Sequence, residues 1–550
     1  MADEGYSDIS GRLADLRARR IVPATIRVRN GLVEKIRIDS GPGGKGFLLP
    51  GFIDAHVHVE SAMLAPSEFA RAAVLHGTTA TVSDPHEIAN VLGASGVRYM
   101  VQDGRSVPFH FFFGAPSCVP ATVFETGGGV LGVRDVETLL DSDDIWFLSE
   151  VMNFPGVLNN DPEVLAKIAA AKKRGKPVDG HAPGLRGAEL ARYAAAGITT
   201  DHESLCLAEA LEKIALGMNI LIREGSAARI LDELVPVIRE HAPSCMFCAD
   251  DLHPDHLLRG HVNAMAARAV QAGADVFDVL RAACVNPARH YRLPVGLLRE
   301  GDPADFIIVE DLCDFRVLET WIGGRKVADR GTCLIPRATP GAVNVFNARL
   351  KSVEDFAVPA GAGNLNVIAA LDGQVFTGRL AMPPRIENGL AIADPGRDLL
   401  KLAVVNRYQN ARPAVGFIQG FGLREGALAS SVSHDSHNIA AVGADDESLC
   451  AAVNSVIRAQ GGIAAVAGGR EWTLPLPVAG IMSTDTAAAV ARAYLELDRA
   501  AKALGSGLRA PFMTLSFMAL LVIPRLKLSD RGLFDGDRFA FAPLFGGDRG

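Results

Sequence analysis

The sequence predicts an α/β fold: a TIM-type (β/α)8 barrel with a small composite β domain and a C-terminal domain of mixed α/β structure. Between Phe47 and about Pro287, an apolar strand candidate followed by a helical stretch occurs eight times. This is the pattern of a (β/α)8 barrel. Short strand patterns lie on both sides of this segment, and the pattern changes again further on. We therefore expect the composite β domain at 1–50 plus 288–340, the barrel at 51–287 and the C-terminal domain at 341–550.

The flanking strands carry local alternation and turn signals. Residues 24–29 alternate between apolar and polar side chains, Asn30-Gly31 is a hairpin turn signal, and residues 32–38 alternate again. After the barrel, residues 304–309 and 320–327 have the composition of further strands. We expect these strands to pair with the N-terminal ones in one small domain.

Two helices of the barrel have well-marked ends. Asp161 is a candidate N-cap, Pro162 suits the first helical position, and Gly175 suits the C-terminal cap. Pro66 and Gly77 bracket another helix in the same way. In the C-terminal domain we expect strands at 365–371 and 402–405 and a helix at 486–504.

Composition indicates a globular enzyme. Of the 550 residues, 49% are apolar and 21% are charged, which excludes a disordered or collagen-like chain. The net charge of −8 includes no basic domain, so we expect no nucleic-acid partner. The apolar run Phe517–Ile523 is far shorter than the ~20 residues of a membrane span, and the start, MADEGYSDIS, contains no apolar signal segment. Because the eight cysteines are scattered, we expect reduced thiols in a cytoplasmic protein without a membrane partner.

Polar residues of metal-binding and acid–base type concentrate at the predicted strand ends. Active sites of (β/α)8 barrels lie at the carboxyl ends of the strands, which share one rim. Nearly every strand delivers such a residue, so we expect these residues to meet in one site. They are His56 and His58, Asp84, His86 and Glu87, Glu150, His181, His202, Arg223 and Glu224, and Asp250 and Asp251.

The pair His56 and His58 suggests a metal site. Residues two apart on a strand point the same way, so both imidazoles can converge on one ion. Glu150 follows an apolar strand, where a buried carboxylate requires a cationic partner. Two interpretations of Glu150 remain open: a salt bridge to a neighbouring Lys or Arg, or a bridge between two metal ions.

His181 and His202 follow consecutive strands of the predicted barrel. Each alone is compatible with a buried, hydrogen-bonded structural role, but together they suggest metal ligands. Asp250 adds a carboxylate after another apolar strand, and the neighbouring Asp251 is the alternative to it.

The strand-end segments resemble those of a known superfamily. PGFIDAHVHVES (50–61) resembles the first strand of the amidohydrolase superfamily. SDPHEIANVLG, SEVMNFPGV, DGHAPG, TTDHES and CADDLHP resemble the corresponding strands of bacterial and archaeal adenine deaminases. GDPADFIIVEDL, GLREGALASSVSHDSHNIAAVG, LPLPVAGIMS and PFMTLSFMALLVIP continue the resemblance beyond the barrel, so that it covers nearly the whole chain.

The resemblance implies a binuclear metal site and a particular reaction. The substrate would be adenine, hydrolysed to hypoxanthine and ammonia in purine salvage by a hydroxide between the two ions. Two divalent ions are implied, manganese or iron, with zinc as a further candidate because imidazole and carboxylate ligands suit all three. The implied metal ligands are His56, His58, Glu150, His181, His202 and Asp250.

Catalytic roles are implied for residues of the same rim. Asp250 would take the proton of the hydroxide and help pass it to the leaving ammonia. His86 and Glu87 are candidates, by position, for substrate binding and for delivering a proton to ring N1, and orienting the metal ligands is their alternative role. In the C-terminal domain, residues 434–437 (His-Asp-Ser-His) either form a structural network or close over the active site, in the same subunit or in a neighbour.

Other functions remain as alternatives. A different binuclear amidohydrolase would act on another aminopurine or on a cyclic amide, although the fourth strand ends without the lysine that many amidohydrolases carboxylate. A barrel scaffold that binds a partner without catalysis would hold no metal tightly. We also expect a homo-oligomer, a dimer or larger.

Overall fold

A computed structural model describes residues 6–41 and 43–547 of the chain. Residues 1–5 and 548–550 lie outside the described residues. They include the start of the predicted composite domain, with half of the polar N-terminal segment, and the end of the predicted C-terminal domain. The described chain opens with β1 (Tyr6–Asp15), β2 (Arg20–Arg29), β3 (Leu32–Ile38) and β4 (Phe47–Pro50). β2 and β3 form the predicted hairpin, in which Asn30 and Gly31 have φ of 51° and 81°. Both values match the turn that an Asn-Gly pair favours.

Eight parallel strands follow and form a TIM-type α/β domain. They are β5 (Phe52–Val57), β6 (Thr78–Ser83), β7 (His110–Ala115), β8 (Ile145–Val151), β9 (Val178–Gly180), β10 (Thr200–Asp201), β11 (Asn219–Arg223) and β12 (Cys245–Cys248). β5–β9 form one sheet and β10–β12 a second. Backbone hydrogen bonds join the two: Thr199 N donates to Val178 O, and Asp250 N donates to His56 O, both at 2.9 Å. Seven of these strands were predicted to end at polar rim residues, and each of the seven ends within two residues of such a residue.

These segments form strands because they are apolar and covered on both faces. Every residue of β5, β6 and β12 is buried, as expected of parallel strands between two layers. Six of the eight strands share one apolar cluster, so they surround a common interior. Its strand residues include Ile53, Val82, Phe112, Phe147, Leu221 and Met246.

Helices follow the strands and cover the sheet. The predicted caps are confirmed: Asp161 accepts hydrogen bonds from the backbone N–H of Glu163 and Val164, and Gly175 has a φ of 66° after the helix end. The helices are α1 (Pro66–Ala73), α2 (His86–Leu92), α3 (Ala94–Gly104), α4 (Val133–Leu140), α5 (Phe154–Leu158), α6 (Pro162–Lys173), α7 (Gly187–Ala195), α8 (Leu207–Ala215), α9 (Leu231–His241), α10 (Pro254–Leu257), α11 (Val262–Gln271), α12 (Val276–Leu280) and α13 (Asn286–His290). α13 crosses the predicted boundary at 287.

Four further strands return to the N-terminal sheet: β13 (Phe306–Val309), β14 (Val317–Ile322), β15 (Arg325–Asp329) and β16 (Thr332–Cys333). The resulting eight-stranded sheet has the order β16-β15-β14-β13-β4-β1-β2-β3. The single strand expected at 320–327 is wrong, because the segment is a hairpin. Gly323 and Gly324 have φ of 53° and 73° and reverse the chain there.

The C-terminal region is a mixed α/β structure around a nine-stranded sheet, in the order β19-β18-β23-β22-β25-β24-β26-β27 with β31 beside β18. Its strands are β17 (Val358–Pro359), β18 (Asn364–Ala370), β19 (Thr377–Met382), β20 (Arg385–Glu387), β21 (Leu390–Ile392), β22 (Leu400–Val405), β23 (Ala414–Gln419), β24 (Ala427–Ser430), β25 (Ile439–Gly443), β26 (Gly462–Ala467), β27 (Arg470–Pro475), β28 (Leu526–Ser529), β29 (Gly532–Asp535), β30 (Ala540–Phe541) and β31 (Phe545–Gly547). Its helices are α14 (Asp446–Arg458), α15 (Ala487–Ala503) and α16 (Pro511–Ser516).

The C-terminal region is hydrogen-bonded to loops of the TIM-type domain. Ala487 N, in the first turn of α15, donates to the Glu68 carboxylate at 3.1 Å. From the side of the TIM-type domain, Thr126 N donates to the carboxylate of Asp530 at 2.9 Å. These bonds hold the region over the strand ends, where the site lies. Within the described part of the chain, no helix combines the length and apolarity that crossing a membrane requires.

Candidate active site

The first two histidines lie side by side at the end of β5. His56 and His58 are both buried, and their Nε2 atoms are 3.2 Å apart. The other ring nitrogen of His58, Nδ1, lies 3.1 Å from the backbone oxygen of Asp84. The strand geometry therefore brings the two imidazoles to one point, as their spacing predicts.

Asp54 fixes the strands behind these histidines. Its carboxylate accepts hydrogen bonds from the backbone N–H of His56 (3.2 Å) and of Ala249 (3.1 Å). Its other oxygen lies 2.7 Å from His261 Nε2. Asp54 therefore ties β5 to the chain just after β12, which are the two segments that carry His56 and Asp250.

Glu150 lies at the centre of the histidine cluster. One carboxylate oxygen is 3.4 Å from His58 Nε2 and 3.5 Å from His86 Nδ1. The other is 2.7 Å from His181 Nδ1 and 3.2 Å from His202 Nε2. Among the residues that the structure describes, no Lys or Arg forms an ion pair with Glu150, so the alternative of a simple salt bridge to a cationic side chain is wrong.

Asp250 joins the cluster from the end of β12. Its Oδ1 lies 3.2 Å from His58 Nε2 and 3.5 Å from His56 Nε2. Its backbone has a φ of 56°, a left-handed conformation that Asp tolerates better than most residues and that is frequent at functional sites. The neighbouring Asp251 also faces the site, and its carboxylate accepts a hydrogen bond from Ser61 Oγ at 2.5 Å.

Arg223 and Glu203 complete the floor of the site. Arg223 Nη1 donates to Asp250 Oδ2 at 2.9 Å, and its Nη2 donates to Glu203 Oε2 at 3.0 Å. The sequence singled out Arg223 only as a rim residue and gave Glu203 no role. Glu203 directly follows His202 in the TTDHES segment, which was the available signal. Glu224, also a rim residue, pairs instead with Arg268.

The two central carboxylates are held ionised. Burial opposes ionisation of Glu150, but the charges of His181 and His202 hold its pKa well below the ordinary value. Burial likewise opposes ionisation of Asp250, but hydrogen bonds from His56 and His58 hold its pKa well below the ordinary value. For Asp251, burial is the largest influence and raises the pKa. Asp250 is therefore ionised, and it is the member of the adjacent pair that lies against His56 and His58.

The C-terminal region reaches the site through residues 434–437. Both His434 and His437 contact the carboxylate of Glu87, with His437 Nε2 at 2.5 Å from Glu87 Oε2. Asp435 Oδ1 lies 3.6 Å from His86 Nε2. The two alternatives for this motif were a structural network and closure over the active site. In the described residues the motif closes over the site within the same chain, and its hydrogen-bonded network is part of that closure.

A small cavity opens onto the cluster. One side carries the strand-end histidines and carboxylates, and the other is largely apolar and comes from the C-terminal region. Phe517 is part of this wall, and the His434 ring stacks on it with centroids 5.2 Å apart. Sequence reasoning missed the wall, which consists of Val375, Phe517, Leu520 and Ile523.

The cluster fits divalent metal ions. Several groups of three or four buried His, Asp and Glu side chains have ligand atoms within 4.8 Å of one another, among them His56, His58 and Asp250. The buried atom His181 Nε2 has no hydrogen-bond partner. Unpaired buried polar atoms are costly, and a cation would satisfy them. Imidazole and carboxylate together suit manganese, iron or zinc.

A TIM-type α/β domain with histidines and carboxylates converging at the strand ends defines a metal-dependent hydrolase of the amidohydrolase class. The family model "Amidohydrolase family" matches residues 47–327, and the model "Adenine deaminase C-terminal domain" matches residues 374–540. Proteins named adenine deaminase are similar over nearly the whole chain: one from Salinibacter ruber is 59% identical, covering 98% of both chains. Those from Methanosarcina barkeri (98% of this chain, 99% of the relative) and Sulfurovum sp. (97% and 99%) are 50% and 53% identical. The chain belongs to the adenine deaminase family of the amidohydrolases.

Proposed function

We propose that the chain catalyses the hydrolytic deamination of adenine to hypoxanthine and ammonia, a reaction of purine salvage. The observation that carries the proposal is the likeness to proteins named adenine deaminase over nearly the whole chain. It includes the C-terminal region, which supplies the apolar wall opposite the polar strand ends. A cavity with one apolar and one polar side suits a flat heteroaromatic ring with an amino group at its edge.

We propose that the site holds two divalent ions, manganese or iron, with zinc as a further candidate. His56, His58 and Asp250 would hold one ion, His181 and His202 the other, and Glu150 would bridge them. The two oxygens of Glu150 face different histidines, which supports this division. When bound, such ions lower the pKa of water and supply hydroxide near neutral pH.

The residues around the cluster would move the protons of the reaction. Asp250 would accept a proton from the attacking water and pass it to the leaving amino group, since its carboxylate is ionised and faces the cluster. His86, which lines the cavity, would contact the purine ring and deliver the proton that ring N1 gains. Glu87 would take part in substrate binding, because its carboxylate anchors His434 at the cavity wall.

Further features of the chain belong to this proposal. The bonds between β9 and β10 and between β12 and β5 support a complete (β/α)8 barrel. The eight-stranded sheet supports a composite domain at 1–50 plus 288–340, beside a barrel at 51–287 and a C-terminal domain at 341–550. We further propose a cytoplasmic homo-oligomer, a dimer or larger, without a nucleic-acid or membrane partner.

The test is an ammonia-release assay on the metal-loaded protein, together with metal analysis. The substrates are adenine, other aminopurines and a cyclic amide, and Asp250→Asn is the control for contaminating activity. We expect adenine to have the highest kcat/KM. A higher kcat/KM for another substrate would replace adenine in the proposal. If the purified protein holds no metal, and releases no ammonia from any of these compounds after divalent ions are added, the result would indicate a non-enzymatic scaffold.

A further inference from the structure

Lys527 is a fully buried lysine in the C-terminal region without a carboxylate partner. It lies on β28 with 0% of its surface exposed. Among the described residues no carboxylate forms an ion pair with it, and burial lowers its pKa to about 7. Burying an amine in this way is costly unless its hydrogen bonds are made. The buried Lys527 amine therefore requires hydrogen-bond partners within the fold.

The partners of Lys527 are two backbone carbonyls from separate segments. Its Nζ donates to Val375 O at 2.7 Å and to Phe517 O at 2.8 Å. Phe517 directly follows the last residue of α16, and its carbonyl also accepts a hydrogen bond from Leu520 N at 3.3 Å. A cationic side chain is favourable at such a helix end. Val375 lies just before β19. One side chain thus joins two segments that no strand pairing connects at this point.

Both partners are residues of the apolar cavity wall. Val375 and Phe517 line the cavity, and the chain after Phe517 continues through Leu520 and Ile523, which line it as well. The Phe517 ring is also the surface on which His434 stacks. Lys527 itself does not line the cavity. Lys527 can therefore influence the site only through the position of the wall residues that it contacts.

We propose that Lys527 is a positioning residue that sets the shape of the apolar cavity wall, and through it the fit of the substrate ring. The inference rests on the proposed function, because it takes the purine as the occupant of the cavity. Lys527 makes no contact with the histidine and carboxylate cluster on the opposite side. It should therefore govern binding of the ring and leave the chemical step and metal content largely unchanged.

The test variant is Lys527→Met, which keeps the length of the side chain and removes its donors. Val375 O then loses its bond from Nζ, Phe517 O keeps only the bond from Leu520 N, and the lysine no longer ties the two wall segments together. Loss of contacts made equally to substrate and transition state raises KM and leaves kcat unchanged. We expect KM for adenine to rise about tenfold or more, with kcat within about twofold and metal content equal to wild type. The kcat/KM ratio of 2,6-diaminopurine to adenine should rise, because a looser wall admits the additional 2-amino group.

Lys401→Met is the matched control. Lys401 is also a fully buried lysine of the C-terminal region, and its Nζ donates to Phe356 O at 3.0 Å and to Asp446 at 2.7 Å. None of these three residues lines the cavity. Lys401→Met should therefore keep KM and the substrate ratio at wild-type values, even if the loss of a buried lysine lowers the stability of the protein.

Lys527→Gln, which keeps a donor on a shorter chain, provides a second reading if the Met variant does not fold. We expect it also to raise KM with kcat maintained, by less than Met does. Wild-type KM and substrate ratio in whichever Lys527 variant folds would overturn the inference, as would a fall in kcat with unchanged KM. The wild-type protein is assayed first: failure to release ammonia from adenine would count against the proposed function, whereas the variant comparison bears on Lys527 alone.

Discussion

Replacing Asp250 by Asn tests the proposed proton transfer most directly. The substitution keeps the shape of the side chain and removes its charge and its ability to accept a proton. In the structure, Asp250 Oδ1 lies 3.2 Å from His58 Nε2, and Oδ2 accepts a hydrogen bond from Arg223 at 2.9 Å. Arg223 also pairs with Glu203, so the guanidinium keeps a carboxylate partner in the variant. We therefore expect the variant to fold.

The expected loss follows from what the carboxylate contributes. Its pKa lies well below the ordinary value, so it is ionised throughout the neutral range and available as a base. General acid–base assistance contributes about 10²–10⁴-fold to rates. We expect kcat to fall by that factor. Most of the metal should be retained, because His56, His58 and Glu150 remain in place.

The assay is ammonia release under saturating adenine, with metal content measured on the same preparation. Asp251→Asn is the control, since Asp251 bonds to Ser61 rather than to the histidine pair. We expect it to retain most of the activity. An active Asp250→Asn beside an inactive Asp251→Asn would move the proton acceptor by one residue. Full loss of metal from Asp250→Asn would show that the residue acts chiefly as a ligand.

Three further predictions concern the metal centre and the buried lysine. Chelation should abolish deamination and added Mn²⁺ should restore it; activity that survives complete metal removal would contradict the metal-dependent mechanism. Glu150→Gln should lose at least one of two ions, because less negative charge then separates two cations; metal analysis that finds both ions, with most turnover kept, would refute the bridge. The pKa of Lys527 is about 7 in the fold and about 10.4 when unfolded, so the unfolded chain binds more protons between these values and stability should rise with pH there. In Lys527→Met, the free energy of unfolding measured with urea should increase less between pH 7 and pH 9 than in the wild-type protein. An equal increase would contradict the low pKa.

The strand-end residues could be predicted because their signal is local. An apolar run that ends in His, Asp or Glu places that residue at the rim, whatever the rest of the chain does. Parallel strands wound in one direction then bring the rim residues together. For this reason His56, His58, Glu150, His202 and Asp250 all lie in the cluster.

Some local signals were nevertheless misread. The hairpin at Gly323-Gly324 was expected as one continuous strand, although paired glycines are a turn signal. The apolar run from Phe517 was excluded as a membrane span and included in the family resemblance, but its place in the cavity wall was missed. The wall in particular depends on how this run packs against the rest of the chain.

The sequence by itself determined the strand–helix alternation, the donor residues at the strand ends and the family resemblance, because periodicity and composition act over a few residues. Only the tertiary structure decided which distant groups meet. Glu87 contacts His434 across 347 positions of the chain, and Lys527 joins Val375 to Phe517. Such contacts depend on how the C-terminal region packs over the barrel. That packing buries surfaces from many segments at once, and no local pattern encodes the resulting pairs of residues.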